Sequence, residues 1–497
     1  MKNSLILSWG SINYERNVTV KKLLNKYTIL VISILCIIGI AATFTLLNEN
    51  NEKTKVVYKP VEKEVKKLYS NEYFKNKFPL QYNSYMQTEL EVKTKFNGSV
   101  KETKFNINKE PYLPILFNGY GFALDYNEDR GHVYAIEDVT NTLRVNDKSI
   151  GACLTCKSTA VPNLIEAMGD SYYNSSFKED ILPKAESLKH ESIGCSDCHD
   201  PETMDLKVTR PHFVQAMGNK GIDVTKASPA EMKNYVCGQC HVEYYFRSVQ
   251  KRVTLPLRIG YTAAAGFGYY YAFSFMNEGD FKNTVSGTPI LKAQHPDFET
   301  YMTGKHRERG AGCVDCHMAK HTSPEGKEFR SHTMTSPLRD LGGTCLTCHK
   351  ESTKEQVTKA IYDIQERHLK KLHEAEEISV RTHYYINKMI TVGADSGEIA
   401  AVQSQVHYAQ WYWDFVAAEN STGFHDPEGA LANLEKSILS SKKALEIAST
   451  ALQAKNVDIN ELELKIKERM QAVIDEPDST KKKDHATNDY FPPMVEQ

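Results

Sequence analysis

The sequence predicts a mainly α-helical protein with little β structure, preceded by one membrane-spanning helix. Three observations support this prediction: residues 27–47 form an uncharged apolar run, strand-like alternation is sparse, and the C-terminal third carries apolar residues at helical spacing. The 497 residues include 61 Lys and Arg against 63 Asp and Glu. This balance argues against a general nucleic-acid binder, which would carry a basic excess.

The N-terminal apolar run is long enough to cross a membrane. It contains 21 residues, and about 20 are needed to span the hydrocarbon core. Residues 1–26 carry a charge of +4, from five basic and one acidic side chain, so we expect everything after Leu47 to lie outside the cytoplasm. A cleaved signal peptide, with Gly39-Ile40-Ala41 at the cleavage site, is the alternative. Because the run continues to Leu47, an uncleaved anchor is favoured.

Composition divides the rest of the chain into three parts. Residues 48–75 are charged and poor in apolar side chains, which indicates a spacer. Residues 476–497 are polar and form a tail. One domain is expected between these two segments, over residues 76–475.

Two long helices are predicted near the C-terminal end of this domain. Ser352 and Glu355 match a capping box and are followed by apolar residues at helical spacing. Asp426 and Pro427 match the N-cap and first position of a second helix, which runs through residues 430–454. Aromatic residues between these helices are expected to pack rather than to carry function: Trp411, Tyr412, Trp413 and Phe415.

Ten of the 11 cysteines fall into five C-x-x-C pairs, and four of the pairs are followed directly by histidine. Two thiols at this spacing can add to the two vinyl groups of one haem while the next residue reaches the iron, so C-x-x-C-H indicates c-type haem attachment. Zinc sites, redox dithiols and disulfides are the alternatives. A zinc ribbon does not need a histidine after each pair, and a redox dithiol needs only one pair. The four motifs are Cys195/Cys198/His199, Cys237/Cys240/His241, Cys313/Cys316/His317 and Cys345/Cys348/His349.

The first pair, Cys153/Cys156, is followed by Lys157 instead of histidine. A neutral amine can bind iron, but it offers no imidazole ring, so this haem would differ electronically from the others. A degenerate motif and a haem-free dithiol are the alternatives. Haems used only for electron transfer are six-coordinate, whereas a haem used for chemistry needs an open position. The pattern therefore predicts one reaction centre supplied with electrons by four regular haems.

The C-x-x-C-K pair followed by four C-x-x-C-H pairs resembles the pentahaem cytochrome c nitrite reductases, which form ammonia. The resemblance covers about residues 75–440, nearly all of the extracytoplasmic part. Further motifs match the family: Asp129-Arg-Gly-His132, Thr142-Leu-Arg144, Cys237-Gly-Gln-Cys-His-Val-Glu-Tyr-Tyr-Phe246, Lys292-Ala-Gln-His295 and Gly423-Phe-His425.

The resemblance implies a set of site residues. The catalytic trio falls on Arg144, Tyr244 and His295, above the haem held by Cys153, Cys156 and Lys157. The segment between Arg144 and Cys153 is short, so Arg130 is the alternative to Arg144. The family's calcium site falls on Glu243, the carbonyls of Tyr244 and Lys292, and Gln294. The second axial ligands of the third, fifth, second and fourth haems along the chain fall on His132, His306, His332 and His425, respectively.

The chemistry of the trio agrees with these implied roles. Nitrite is an anion that loses both oxygens as water, so its pocket needs positive charge and proton donors. Arg144 offers a permanent charge in a planar fork, His295 can change protonation near neutral pH, and Tyr244 is a phenol donor. Calcium prefers oxygen ligands of this mixed kind.

By resemblance, we expect a mainly α multihaem cytochrome c domain with long C-terminal helices, which form a homodimer. The expected reaction is dissimilatory reduction of nitrite to ammonium with five covalently bound c-type haems and calcium. It would take place at the extracytoplasmic face of the membrane, with a quinol-oxidising multihaem cytochrome as electron donor. A reductase acting mainly on hydroxylamine or sulfite, and an electron carrier without a substrate, are the competing hypotheses.

Overall fold

Helices provide most of the regular structure in the computed structural model, which describes residues 69–89, 92–96, 98–99, 110–126, 130–187, 191–247, 250–273, 279–477 and 481–482. All of these residues belong to one compact unit, 62–497. The predicted anchor at 27–47, the cytoplasmic segment 1–26 and most of the spacer and the tail lie outside the described residues. Within the described ranges, no helix is both long enough and apolar enough to cross a membrane.

The first two thirds of the described chain contain short helices joined by turns. Proline at the first or second position begins several of them, including Pro211–Asn219 and Pro229–Gly238, because its fixed φ suits the first helical turn. The helices are α1 (Asn71–Lys75), α2 (Pro79–Met86), α3 (Leu113–Leu116), α4 (Ala135–Asn141), α5 (Val161–Met168), α6 (Ser171–Asn174), α7 (Leu182–Ser187), α8 (Cys195–Cys198), α9 (Pro211–Asn219), α10 (Pro229–Gly238), α11 (Ala263–Phe273), α12 (Asp297–Thr303), α13 (Lys305–Glu308) and α14 (Cys313–His317).

Four longer helices follow: α15 (Lys354–Thr391), α16 (Ser396–Ala417), α17 (Pro427–Ala454) and α18 (Ile459–Asp475). Asp426 is the N-cap of α17 and accepts a hydrogen bond from the Gly429 backbone, with Pro427 at the first position, which confirms the prediction for this helix. These helices pack on each other through one apolar core that also takes in residues of α3. The aromatic residues of α16 are buried in the core regions, as predicted: Trp411, Tyr412, Trp413 and Phe415.

The predicted capping box at the start of α15 was wrong by one residue. Thr353, not Ser352, is the N-cap, and its hydroxyl accepts from Gln356 N at 3.3 Å while Gln356 Oε1 accepts from Thr353 N at 2.8 Å. Ser352 is already engaged, because its backbone N–H donates to the His349 carbonyl at 3.1 Å. The Ser352 N–H is therefore not available to the Glu355 carboxylate, and the reciprocal half of the predicted capping box does not form.

Strands are few and short, as the sequence predicts. Within the described ranges they form four separate two-stranded antiparallel pairs. The strands are β1 (Val92–Lys93), β2 (Gly98–Ser99), β3 (Tyr245–Phe246), β4 (Val253–Thr254), β5 (Phe281–Lys282), β6 (Pro289–Ile290), β7 (Lys320–Thr322) and β8 (Glu328–Arg330). Each sheet pairs neighbours in the sequence, and the residue partners include Tyr245 with Thr254 and Phe281 with Ile290.

The cysteine pairs lie on short helices or single turns, and two of them share one local construction. In α8 and α14, an aspartate at the third position accepts a hydrogen bond from the glycine before the first cysteine. A distant asparagine then accepts from the first cysteine's N–H: Asn71 for Cys195 at 3.0 Å, and Asn234 for Cys313 at 2.9 Å. A side chain on the preceding glycine would clash with this asparagine, which explains the Gly-Cys sequence in both places.

Candidate active site

The structure brings eight histidines together as four facing pairs. Each pair joins the histidine after a cysteine pair to one of the four histidines that the resemblance assigns as second ligands. The ring centroids are 6.3 Å apart for His199 and His332, 6.2 Å for His241 and His132, 6.2 Å for His317 and His425, and 6.4 Å for His349 and His306.

These separations fit a metal ion between the two rings. A metal about 2.0 Å from each imidazole nitrogen places the ring centres roughly 6 Å apart, once about 1 Å from nitrogen to ring centre is added on each side. Burial lowers the pKa of His317 and of His332 to about 4. These two imidazoles are therefore neutral near pH 7, which is the form that binds a metal.

The cysteine pairs follow one another through the molecule in an order that differs from the sequence. The thiol of Cys156 lies beside that of Cys240, and the thiol of Cys237 lies beside that of Cys313. The first, third and fourth pairs therefore form a continuous row. The second pair lies beside the third, because Cys198 interacts electrostatically with Cys237 and Cys240. The fifth pair lies beside the fourth, because Cys316 interacts with Cys345. Groups attached to these thiols would be near neighbours.

The fifth cysteine pair is more open to solvent than the other four. Cys348, which the motif assigns to haem attachment, is exposed, whereas the other nine cysteines of the described chain are half-buried. It follows the single 3₁₀ turn Cys345–Thr347 and precedes the surface turn that leads into α15, and its sulfur accepts from the Thr347 hydroxyl at 3.8 Å. This exposure differs from the enclosed setting of the other thiols. The assignment of Cys348 therefore rests on the C-x-x-C-H spacing, and a group attached there would have one edge at the surface.

Beside the first pair, two residues of the predicted trio meet. Burial raises the pKa of the Tyr244 phenol most strongly, and the Cys156 and Cys153 thiols raise it further. Arg144 acts in the opposite direction and lowers it. Burial also raises the pKa of Cys153, which Arg144 again opposes. The guanidinium of Arg144 therefore lies close to both the phenol and the first cysteine. Lys157 follows in the same turn, with its N–H bonded to the Leu154 carbonyl at 2.9 Å.

A buried aspartate orients the turn that carries Arg144. Asp125 accepts from the Thr142 hydroxyl at 2.8 Å and from the Leu143 backbone at 2.9 Å. Nε of Arg144 then donates to Thr142, and its guanidinium lies 4.3 Å from the centre of the Phe122 ring. The alternative candidate, Arg130, is instead held in an ion pair with Asp138 and Glu137 on α4.

His295 is held from two sides. Its Nδ1 lies 2.8 Å from Oδ2 of Asp297, and its Nε2 lies 3.2 Å from Nδ2 of Asn420. The same Asp297 oxygen lies 3.3 Å from Nδ1 of His241. Although burial opposes ionisation, His295 and His241 hold the pKa of the Asp297 carboxyl well below its usual range.

Oxygen atoms gather next to Tyr244 and His295, where the resemblance implies calcium. The Glu243 carboxylate is fully buried and accepts from the Gln294 backbone at 2.5 Å and from the Tyr270 hydroxyl at 2.7 Å. Nε2 of Gln294 donates to the Lys292 carbonyl at 3.2 Å. The Lys292 side chain turns away to a buried ion pair with Asp414 at 2.8 Å, so only its carbonyl belongs to this group.

The donor set of this oxygen cluster suits a divalent cation. Burial raises the pKa of Glu243 to about 8 and that of nearby Asp280 to about 6. Carboxylates that are costly to ionise in a buried place become stable anions beside a bound cation. Oxygen ligands of mixed charge are those that calcium prefers.

Sequence reasoning missed several residues around the predicted trio. Asp297, Asn420 and Asp280 carried no motif, and Tyr270 belongs to a tyrosine run that resembles core packing. Tyr120 is a further example. Burial and Asp280 raise the pKa of its phenol, and Arg144 and a hydrogen bond with Gln294 offset only part of that rise. Tyr120 therefore lies between the oxygen cluster and the pocket. Of these residues, the sequence could have indicated only Asp297, because it lies two positions after His295.

Known proteins share the sequence pattern and the fold of this chain. The family model described as cytochrome c552 matches residues 70–497. The cytochrome c-552 of Bacteroides thetaiotaomicron is 38% identical over 391 residues, which cover 76% of this chain and 75% of the relative. The cytochrome c nitrite reductase subunit NrfA of Nitratidesulfovibrio vulgaris is 35% identical over 415 residues, covering 77% and 79%.

A solved structure has the same fold. The catalytic subunit (NrfA) of cytochrome c nitrite reductase from Desulfovibrio desulfuricans superposes with a TM-score of 0.73 at 31% sequence identity. The match covers 81% of this chain and 90% of that one. The study of that structure concerns its two calcium sites.

Proposed function

Because the chain belongs to the cytochrome c552 family, we propose that it is an ammonia-forming cytochrome c nitrite reductase that carries five covalently bound c-type haems and calcium. The reaction takes nitrite, six electrons and eight protons to ammonium and two waters. One observation carries the proposal: the only cysteine pair followed by lysine stands beside Arg144 and Tyr244. The relatives named as nitrite reductases support the reaction assigned to that pocket.

The five haems divide into one reaction centre and four electron carriers in this proposal. Lys157 would hold the iron of the haem attached to Cys153 and Cys156, and this haem would supply the reducing chemistry. Each of the other four haems would be held by one of the facing histidine pairs: His241 with His132, His199 with His332, His317 with His425, and His349 with His306. The spacing of the rings supports this assignment.

The side chains of the pocket act on the substrate in different ways. When bound, the lysine-ligated haem supplies an iron that takes up electrons and an open position for nitrite. Arg144 neutralises the charge of the anion and donates to its oxygens through a planar fork. Burial keeps the Tyr244 phenol protonated and therefore a donor. His295 delivers protons to the oxygen that leaves as water, since an imidazole can both take up and release a proton.

Calcium has a structural task in the proposal. The ion is held by Glu243, the carbonyls of Tyr244 and Lys292, and Gln294. Since Tyr244 follows Glu243 directly and His295 follows Gln294, an ion at this place fixes the backbone under two of the three catalytic side chains. The two buried carboxylates with raised pKa values support a cation here.

We also propose a location and partners for the protein. The haem domain lies on the extracytoplasmic side, held to the membrane by residues 27–47. A quinol-oxidising multihaem cytochrome in that membrane supplies the electrons. Two chains associate through their long C-terminal helices, and the exposed leucines of α17 and α18, Leu439 and Leu464, support a contact there.

The first experiment is spectroscopy on the purified extracytoplasmic part. We expect five haems per chain, and electron paramagnetic resonance should show one high-spin haem whose signal changes when nitrite is added. Steady-state rates with nitrite, hydroxylamine and sulfite would then rank the substrates. Low-spin iron at every haem, with no response to nitrite, would refute the proposal and favour an electron carrier. A higher kcat/KM for hydroxylamine or sulfite than for nitrite would reassign the main reaction.

A further inference from the structure

Asp297 contacts two histidines that have different tasks. Its Oδ2 lies 2.8 Å from Nδ1 of His295 and 3.3 Å from Nδ1 of His241. The two rings meet edge to face, with centroids 4.8 Å apart. In the proposed function, His295 faces the substrate and His241 binds the iron of the third haem. One carboxylate therefore joins a proton donor of the pocket to a ligand of the neighbouring electron carrier.

Asn420 fixes this carboxylate and the protonation of His295. Its backbone N–H donates to Oδ1 of Asp297 at 2.8 Å, and its Nδ2 donates to Oδ2 at 3.0 Å. The same amide donates to Nε2 of His295 at 3.2 Å. An imidazole nitrogen that accepts a hydrogen bond carries no proton, so the proton of neutral His295 is on Nδ1, facing Asp297. The carboxylate of Asp297, 2.8 Å from Nδ1, therefore favours this tautomer.

The carboxylate also distinguishes His241 from other proposed ligands. Nδ1 of His199 lies 2.8 Å from the Met204 carbonyl, and Nδ1 of His332 lies 3.0 Å from the Arg330 carbonyl. Both ligands of the second haem therefore meet neutral acceptors, whereas His241 meets an anion. An anionic acceptor makes a metal-bound imidazole more basic, which stabilises the oxidised iron more than the reduced iron and lowers the reduction potential.

We propose that Asp297 is a positioning residue that holds His295 in its working tautomer and lowers the reduction potential of the third haem below that of the second. The first half rests on the proposed function, whereas the second half needs only the haem attachment. Glu419 has the corresponding contact on the fourth haem, where its Oε2 lies 3.2 Å from Nδ1 of His425. Asp297 and Glu419 thus lie beside proposed ligands of the third and the fourth haem, which follow the reaction centre in the row.

The test is Asp297→Asn in the full-length protein, with spectropotentiometry of each haem and steady-state kinetics. We expect the third haem to shift to a more positive potential by more than the fourth, because Asp297 lies 3.3 Å from Nδ1 of His241 but 4.0 Å from Nδ1 of His425. The kcat for nitrite should fall about 10- to 100-fold, the usual effect of removing such a supporting contact, while KM changes little. Asp170→Asn is the control, because Asp170 pairs with Arg252 at 2.9 Å instead of with these histidines, and it should leave potentials and kcat unchanged. Unaltered potentials in Asp297→Asn with five haems bound would overturn the inference.

A second variant has an effect of opposite sign. Asn420→Ala removes one donor from the Asp297 carboxylate, so the carboxylate interacts more strongly with His241 and the same haem should shift to a more negative potential. A purely structural disturbance would not reverse the sign. A positive shift, or none, would overturn the inference even if Asp297→Asn does not fold. A wild-type protein that lacks nitrite turnover would refute the proposed function, and the two potential shifts would then decide the role of Asp297 alone.

Discussion

At the scale of single residues, the pocket depends on how Arg144 is held. The guanidinium has a polar support in Thr142 and an apolar one in the face of Phe122. Neither neighbour neutralises its charge, so the charge is left for an anion. Arg130, in contrast, is buried and paired with two carboxylates, and its charge is already balanced. The ion-pairing pattern therefore favours Arg144 as the residue that binds nitrite.

Arg144→Gln should weaken nitrite binding with all five haems in place. A hydrogen bond to a charged group contributes roughly 1.5–3 kcal/mol, so we expect KM for nitrite to rise roughly 10- to 100-fold. Steady-state kinetics with a haem count checks this. Arg247→Gln, at an exposed arginine after β3, is the control and should behave as wild type. An unchanged KM in Arg144→Gln would exclude the assigned role.

Other histidines belong to the helical core. His383 on α15 is fully buried, with Nδ1 2.7 Å from the Ser286 hydroxyl and Nε2 3.1 Å from Oε1 of Gln410. Burial lowers the pKa of His383 to about 4. The unfolded chain, with a pKa near 6.5, binds this proton more readily. The folded state is therefore favoured fully above pH 6.5 and loses that advantage as the pH falls towards 4.

His383→Gln should flatten the acid side of the stability profile. Between pH 7.5 and pH 5, the titration of His383 costs the folded wild type about 2 kcal/mol, and glutamine removes this loss. The free energy of unfolding in urea, followed by far-ultraviolet circular dichroism at both pH values, measures it. His321→Gln is the control, since that side chain is 42% exposed. Equal pH dependence in wild type and His383→Gln would contradict the prediction.

At the scale of elements, the start of α15 shows how local signals compete. Two overlapping patterns, Ser352 with Glu355 and Thr353 with Gln356, both match a capping box. The turn that follows the last cysteine pair takes the Ser352 N–H, so the helix begins one residue later. The position of the haem motif thus decides which cap is used.

Thr353→Ala should destabilise the protein more than Ser352→Ala. Loss of an N-cap hydroxyl costs about 1 kcal/mol, whereas a surface substitution without such a contact usually changes stability by less than about 0.5 kcal/mol. Urea unfolding of both variants, compared with wild type, checks the difference. A larger loss in Ser352→Ala would mean that the capping box is the one read from the sequence.

At the scale of the whole molecule, the order of the cysteine pairs in space gives the path that electrons would take in the proposed function. The first, third and fourth pairs form the row, the second adjoins the third, and the fifth adjoins the fourth. The fifth pair lies at one end of this row, and three residues of its motif and of the facing histidine are exposed in the chain: Cys348, His349 and His306. Exposed leucines on α17 and α18 indicate where a second chain could pack.

Leu439→Lys should shift the protein towards monomers. Leu439 is 63% exposed on α17, and burial of one leucine contributes roughly 1.5–3 kcal/mol. Each substitution acts twice in a symmetric dimer, so the dissociation constant should rise roughly 100-fold or more. Sedimentation velocity over a concentration series measures this. Val214→Lys, at another exposed apolar residue, is the control, and an unchanged dimer in Leu439→Lys would exclude this contact.

The sequence by itself determined the helical class, the start of α17 and the five cysteine pairs with one lysine among four histidines. These features are local, because covalent haem attachment and helix capping depend on residues a few positions apart. The residues of the pocket came from family motifs, which are also short stretches of sequence.

Only the tertiary structure decided which distant residues meet. His132 faces His241 and His332 faces His199 across more than 100 residues of sequence, and the pairs line up in an order that the chain does not follow. The C-x-x-C-H spacing does not indicate that Cys348 is exposed, since motifs of the same spacing hold half-buried cysteines. It also does not indicate that Asp297 contacts both His241 and His295. Packing of many elements brings such residues together, and no short stretch of sequence specifies that packing.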